Sequence, residues 1–97
     1  MAVIVVTRWK GNEEYRQLVT QAAAILKRHG ATSVRAGRCF SGEYSGELVV
    51  ATTYPDGAAF GRSLQALSAD AEWQRLLAEA SKISELQDRS IIVAEEF

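Results

Sequence analysis

Two segments of this 97-residue chain, Val3–Trp9 and Glu47–Tyr54, are apolar on both of their alternating faces. A strand with one wet face alternates apolar and polar residues, and a strand covered on both sides does not. Around these two segments the chain reads strand, helix, strand, strand, helix, strand. Two helices make one layer and cover one face of a sheet. The other face needs a cover of its own. That need constrains fold and assembly more than any short motif in the chain.

Local signals place the elements. Ala2–Trp9 is rich in Val and Ile, as buried strands are. Gly11 and Asn12 end it, and Asn12 is a predicted helix cap, with Glu13 and Glu14 in the first turn. Tyr15, Leu18, Val19, Ala22, Ile25 and Leu26 recur at spacings of three and four, the stripe of an amphipathic helix. Lys27, Arg28 and His29 fall in its last turn, and Gly30 stops it. Ser33–Phe40 alternates, with Val34, Ala36, Arg38 and Phe40 on one side and Arg35, Gly37 and Cys39 on the other. This is the pattern of an edge strand. Ser41 and Gly42 begin the turn of a hairpin, with a bulge predicted over Tyr44–Gly46.

Pro55 and Asp56 open a second helical region, striped by Phe60, Leu64 and Leu67. Ser68, Ala69 and Asp70 interrupt it. The region is therefore predicted to break near Ser68, with Asp70 or Ser68 capping a segment that carries Trp73, Leu76, Leu77 and Ala80. Gln87–Glu95 reads as the last strand.

The order βαββαβ predicts an α+β, ferredoxin-like domain over residues 1–97: a four-stranded antiparallel sheet with both helical regions on one face. The first and third strands are then central. The second and fourth are edges, in keeping with their Arg35, Arg38, Asp88 and Arg89. Either Ile4, Val6 and Val49 or their neighbours Val3, Val5 and Val50 point away from the helices. Covering about 600 Å² of apolar surface there is worth roughly 15 kcal/mol before the costs of association. A homodimer through sheet-to-sheet packing is the expected closure, with a ligand or another protein as the alternative cover.

Composition excludes several classes. Eleven basic and twelve acidic residues are interspersed, and the net charge is −1. No basic run suggests nucleic acid or an anionic membrane surface as partner. No stretch approaches the roughly 18–20 apolar residues of a membrane span. Ala2–Val6 is too short for the apolar core of a signal peptide. The lone cysteine, Cys39, rules out an internal disulfide framework and fits a reducing compartment, so a cytoplasmic protein is expected.

Three stretches, VIVVTRWKGNEEYRQLV, ELVVATTYPD and SADAEWQRLLAEA, resemble the dimeric α+β barrel superfamily, and within it the small antibiotic-biosynthesis-monooxygenase-like proteins. The resemblance implies a homodimer with a site between sheet and helices. It further implies cofactor-free oxidation or isomerisation of a small aromatic or polyketide-like ligand. By this resemblance Thr7 falls where haem-degrading members carry an asparagine. Those members also use a histidine in the second helical region as iron ligand, and the one histidine here, His29, ends the first helix. Haem degradation is not implied, and no cofactor or metal is expected.

The candidate ligand-pocket residues are Thr7, Trp9, Arg38, Tyr54 and Trp73. Trp9 and Trp73 can wall a pocket for a flat molecule, although Trp73 also has the spacing of simple core. Tyr54, at a strand end, can give a hydrogen bond or proton to a phenolate-like ligand, or leave its hydroxyl in water. Arg38 shares a side with apolar residues and can hold an anionic oxygen, or pair with Glu43 or Glu47. The helix dipole explains His29, Cys39 has no activating base nearby in sequence, and Asp56 and Asp70 read as caps. The third strand has aliphatics where an RNA-recognition domain needs stacking aromatics. A metal chaperone needs paired cysteines, and a phosphatase needs an anion cradle that Arg8, Lys10 and Gly11 only faintly suggest. Two readings remain: a small dimeric enzyme, and a non-catalytic structural or ligand-sensing dimer.

Overall fold

A computed structural model describes residues 1–11 and 14–97. The elements run β1 (Val3–Gly11), α1 (Arg16–Arg28), β2 (Ser33–Arg38), β3 (Leu48–Tyr54), α2 (Gly57–Ser68), α3 (Ala71–Ile83) and β4 (Ser84–Val93). The strands form one antiparallel sheet in the order β2-β3-β1-β4. The two segments apolar on both faces are the central pair, as their patterning requires.

Register decides which side of each strand meets the helices. Val3, Val5, Thr7 and Trp9 of β1 lie level with Tyr54, Thr52, Val50 and Leu48 of β3. Buried Val3, Val5 and Tyr54 join Ile25 and Leu26 of α1, Leu67 of α2 and Leu76 of α3 in the core. Ile25 is 1% exposed; its replacement by Ala should cost about 2–5 kcal/mol. The helix-free face therefore carries Ile4, Val6, Val49, Ala51 and Ile92, the first of the two alternatives open to the sequence.

That face is not apolar throughout. At the end where β1 finishes, Arg8 makes an ion pair with Glu47 at 2.5 Å, and its guanidinium lies 3.5 Å from the centre of the Tyr44 ring. The 39–47 loop thus folds onto the helix-free side. The hairpin ladder continues into it, with Cys39 N–H donating to the Glu47 carbonyl and Gly46 N–H to the Cys39 carbonyl, both at 2.8 Å.

Several expected boundaries change. β4 begins at Ser84, three residues before Gln87, because α3 passes into it without a loop. It ends at Val93, short of Glu95. β3 begins at Leu48, since Glu47 is held by Arg8 in the loop. α1 begins at Arg16 with no acid in its first turn; Glu14 precedes it, and the expected cap Asn12 and its neighbour Glu13 lie outside the described residues. The predicted break near Ser68 is present. Asp56 Oδ1 accepts from Ala59 N–H at 2.8 Å to start α2, and Asp70 Oδ1 accepts from Trp73 N–H at 3.1 Å to start α3. Each bond satisfies an N–H that the first turn of a helix leaves without a partner.

Candidate functional site

Splitting the second helical region gives two short helices that do not fill the space above the sheet. A cavity of about 450 Å³ lies between them, α1 and the sheet, and opens to solvent. Its size lies within the usual range of small-molecule sites, about 300–1,000 Å³, which makes it the candidate site.

Its floor is the helix side of the sheet: Val5, Thr7 and Trp9 of β1, Leu48, Val50, Thr52 and Tyr54 of β3, and Leu86 and Arg89 of β4. Leu18 and Ala22 of α1, Phe60 and Leu64 of α2, and Trp73, Leu76 and Leu77 of α3 form the walls. Four of the five residues singled out from sequence, Thr7, Trp9, Tyr54 and Trp73, share this one space.

Polar groups on the lining are few. The Trp9 indole Nε1–H donates to Thr7 Oγ1 at 2.8 Å. A hydroxyl that accepts still has its own proton to give, so Thr7 can donate to a ligand oxygen. Arg89 pairs in register with Thr7 across β1 and β4. Among the described residues it is the one formally charged side chain lining the cavity, and it makes no ion pair there.

The Tyr54 hydroxyl neither faces a ligand nor lies in water, the two alternatives its strand-end position left open. Tyr54 is 2% exposed, and its hydroxyl is 2.8 Å from Ser63 Oγ, itself 1% exposed. Its ring tilts against Phe60 with centroids 5.6 Å apart. Tyr54 therefore offers the cavity its ring, while its hydroxyl is engaged with α2. Arg38 does not line the cavity, nor does it pair with Glu43 or Glu47. Its Nη1 donates to the Gly46 carbonyl at 2.9 Å, and its guanidinium lies 4.8 Å from the centre of the Tyr15 ring, a cavity wall. Glu47 is instead taken by Arg8.

Trp73 combines its two expected roles, packing on the core and facing the cavity. Asp70 positions it. While Oδ1 caps α3, Oδ2 lies 2.7 Å from His29 Nε2 and 3.0 Å from Arg28 Nη2. His29, the Trp73 amide and Arg28 together hold the Asp70 carboxyl well below the usual carboxylate range. His29 thus fastens the end of α1 to the start of α3. Cys39 is half-buried, and its Sγ–H donates to the Ser41 carbonyl at 3.2 Å. No three His, Cys, Asp or Glu side chains converge as metal ligands among the described residues.

Sequence reading missed Arg89 and Ser63. The logic that singled out Arg38, an arginine among apolar neighbours, applies equally to Arg89, which shares a side with Ile91 and Val93. Ser63 carries no such signal, because a serine in a helix is usually solvated.

This geometry, an antiparallel βαββαβ sheet with a ligand-sized space under split helices, is a ferredoxin-like α+β fold. Residues 3–93 match the family model DUF6854, a domain of unknown function, and the chain belongs to that family. Among curated protein sequences, none matches. Among solved structures, SnoaB, a cofactor-independent oxygenase from Streptomyces nogalater, is similar with a TM-score of 0.75 at 18% identity, over 99% of this chain and 95% of that one. An uncharacterized NIPSNAP domain protein from Burkholderia xenovorans has a TM-score of 0.73 at 18% identity, over 100% and 97%. A protein provisionally assigned as an antibiotic biosynthesis monooxygenase from Deinococcus radiodurans has 0.68 at 15%, over 98% and 94%. At these identities the likeness is one of fold. No helix among the described residues is long and apolar enough to cross a membrane.

Proposed function

We propose that the protein is a homodimer in which each subunit takes up a small, flat, apolar molecule bearing one acidic oxygen, and oxidises it with dioxygen without a resident cofactor. The observation that carries this reading is the cavity of about 450 Å³, apolar and aromatic on nearly every wall, with Arg89 and Thr7 side by side on its floor. That volume lies within the usual range for small-molecule sites, about 300–1,000 Å³. A guanidinium beside a phenol or enol favours the ionised form. An ionised, electron-rich ring can itself supply electrons to dioxygen. Trp9 and Trp73 would hold the ring, with Thr7 donating to its oxygen. The likeness of fold to SnoaB supports oxygenation as the reaction class. The half-buried apolar side of the sheet supports the dimer, and the lone Cys39 supports a cytoplasmic setting.

A non-catalytic, ligand-sensing dimer is the second reading. It is favoured by the engagement of Tyr54 with Ser63, which leaves no acid–base pair on the cavity walls among the described residues. Oxygen consumption over a panel of anthrones and quinols separates the two, with anilinonaphthalene sulfonate fluorescence as a binding readout. Turnover that falls at least tenfold in Arg89→Gln supports the enzyme. Probe binding without turnover supports the sensor. Neither binding nor turnover refutes the cavity as a site, and a monomer at micromolar concentration refutes the dimer.

A further inference from the structure

The cavity floor holds one hydroxyl that the fold leaves unused. The Thr7 hydroxyl takes the Trp9 indole N–H, and the Tyr54 hydroxyl is engaged with Ser63. Thr52, on β3, is 6% exposed, and its hydroxyl has no hydrogen-bond partner among the described residues. No side-chain nitrogen or oxygen of those residues is both sealed off and unpartnered. The Thr52 hydroxyl therefore opens onto the cavity that Thr52 lines. Burying a hydroxyl without a partner costs free energy, and a valine of the same shape would avoid that cost.

We infer that Thr52 is a specificity-determining residue of this cavity: its hydroxyl takes a second, neutral oxygen of the flat ligand, a carbonyl or a phenol, at the end remote from the acidic oxygen held by Arg89 and Thr7. The inference rests on the cavity being a ligand site, as proposed above, and adds which ligands it selects.

Register sets the spacing. Thr7 is level with Val50 on β3 and with Arg89 on β4. Thr52 is level with Val5 on β1 and Val34 on β2, one step of two residues toward the buried Val3 and Tyr54. Residues related diagonally across two antiparallel strands stand about 7–8 Å apart. Thr7 and Thr52 thus address opposite ends of a fused two-ring system lying flat on the floor.

The neighbours fix the charge of the second group. Val5 and Val34 flank Thr52 across the sheet, and Tyr54 follows it on the same side. Arg89, the charged residue of the lining, is two strands away. A carboxylate or ammonium at Thr52 would lose its hydration and gain no counter-charge. A hydroxyl both gives and accepts, so a carbonyl and a phenol each satisfy it.

Isothermal titration calorimetry with 2-naphthol and 2,6-dihydroxynaphthalene tests this, because the probes differ by one oxygen at the far end of the ring system. Wild type should bind the diol at least about fivefold more tightly, since a neutral hydrogen bond contributes about three- to tenfold in affinity and the symmetry of the diol about twofold. Thr52→Val, which keeps the shape, should reduce the preference to about twofold, the part that symmetry supplies, and Thr52→Ser should keep it whole. Arg89→Gln should weaken both probes and leave their ratio in place. Thr52→Val should also melt no lower than wild type, since no bond within the fold is lost. A lower melting temperature would give the hydroxyl a structural use and overturn the inference. So would a wild type without preference, or a preference that survives in Thr52→Val, while binding of either naphthol would keep the cavity as a site. If neither probe binds wild type, the cavity reading and the inference fall together.

Discussion

One substitution made at two glycines should change stability in opposite directions. Gly11 ends β1 against the point where α3 passes into β4. A Cβ there would stand 2.4 Å from the Ile83 carbonyl oxygen and 2.6 Å from Ser84 Cα. Both are backbone atoms, so no side-chain rotation relieves the contact. Ordinary contact begins near 3.4 Å, and the junction would have to retreat by about 1 Å. Overpacking of this kind costs about 1–3 kcal/mol. Gly61 is exposed in α2, with no atom within 4 Å of a Cβ placed on it. Gly61→Ala should gain about 0.5–1 kcal/mol from helix propensity. Urea unfolding should thus separate the two variants by about 1.5–4 kcal/mol. At about 4–8 °C per kcal/mol for a domain of this size, their melting temperatures differ by at least about 6 °C. Ile83 and Ser84 also line the cavity. Gly11→Ala should therefore weaken anilinonaphthalene sulfonate binding, and Gly61→Ala should not. A Gly11→Ala protein within about 0.5 kcal/mol of wild type would refute the close approach of β1 to the α3–β4 junction.

Further perturbations test other parts of the architecture. Ser63→Ala leaves the buried Tyr54 hydroxyl without its partner and should cost about 1–3 kcal/mol; a urea double-mutant cycle with Tyr54→Phe should show the two losses to be less than additive, and strict additivity would contradict the bond. The Asp70 carboxyl titrates below its unfolded value of about 3.9, so its stabilisation is fully present above that pH and is lost as the pH falls. Between pH 6 and 2 the melting temperature of wild type should fall more steeply than that of Asp70→Asn, which keeps a capping side chain but no charge. Parallel curves would count against the His29–Asp70–Arg28 fastening. Trp73→Leu should weaken probe binding severalfold by flattening one cavity wall, and unchanged affinity would place the probe elsewhere.

The sequence by itself determined the element order, the central position of β1 and β3, the break after Ser68 and the caps at Asp56 and Asp70. These follow from periodicity and from hydrogen bonds spanning a few residues, so they are written in neighbouring positions. It also brought Trp9, Tyr54 and Trp73 forward as site candidates, because aromatic residues on a covered strand or helix stripe are conspicuous; Thr7 came forward through the family resemblance. Only the tertiary structure decided which arginine reaches the cavity. β4 shifts register against β1 between Arg8 and Trp9, pairing Arg8 with Asp88 but Trp9 with Leu86. That one-residue bulge turns Leu86, not Gln87, toward the helices beside Arg89. Simple alternation cannot anticipate it, because side-chain parity in a strand depends on a partner far away in the chain. The same reason assigned Glu47 to Arg8 and left Arg38 on Tyr15. Contacts between distant elements are selected by packing in three dimensions, and a linear pattern of polarity does not encode which of several similar side chains will meet.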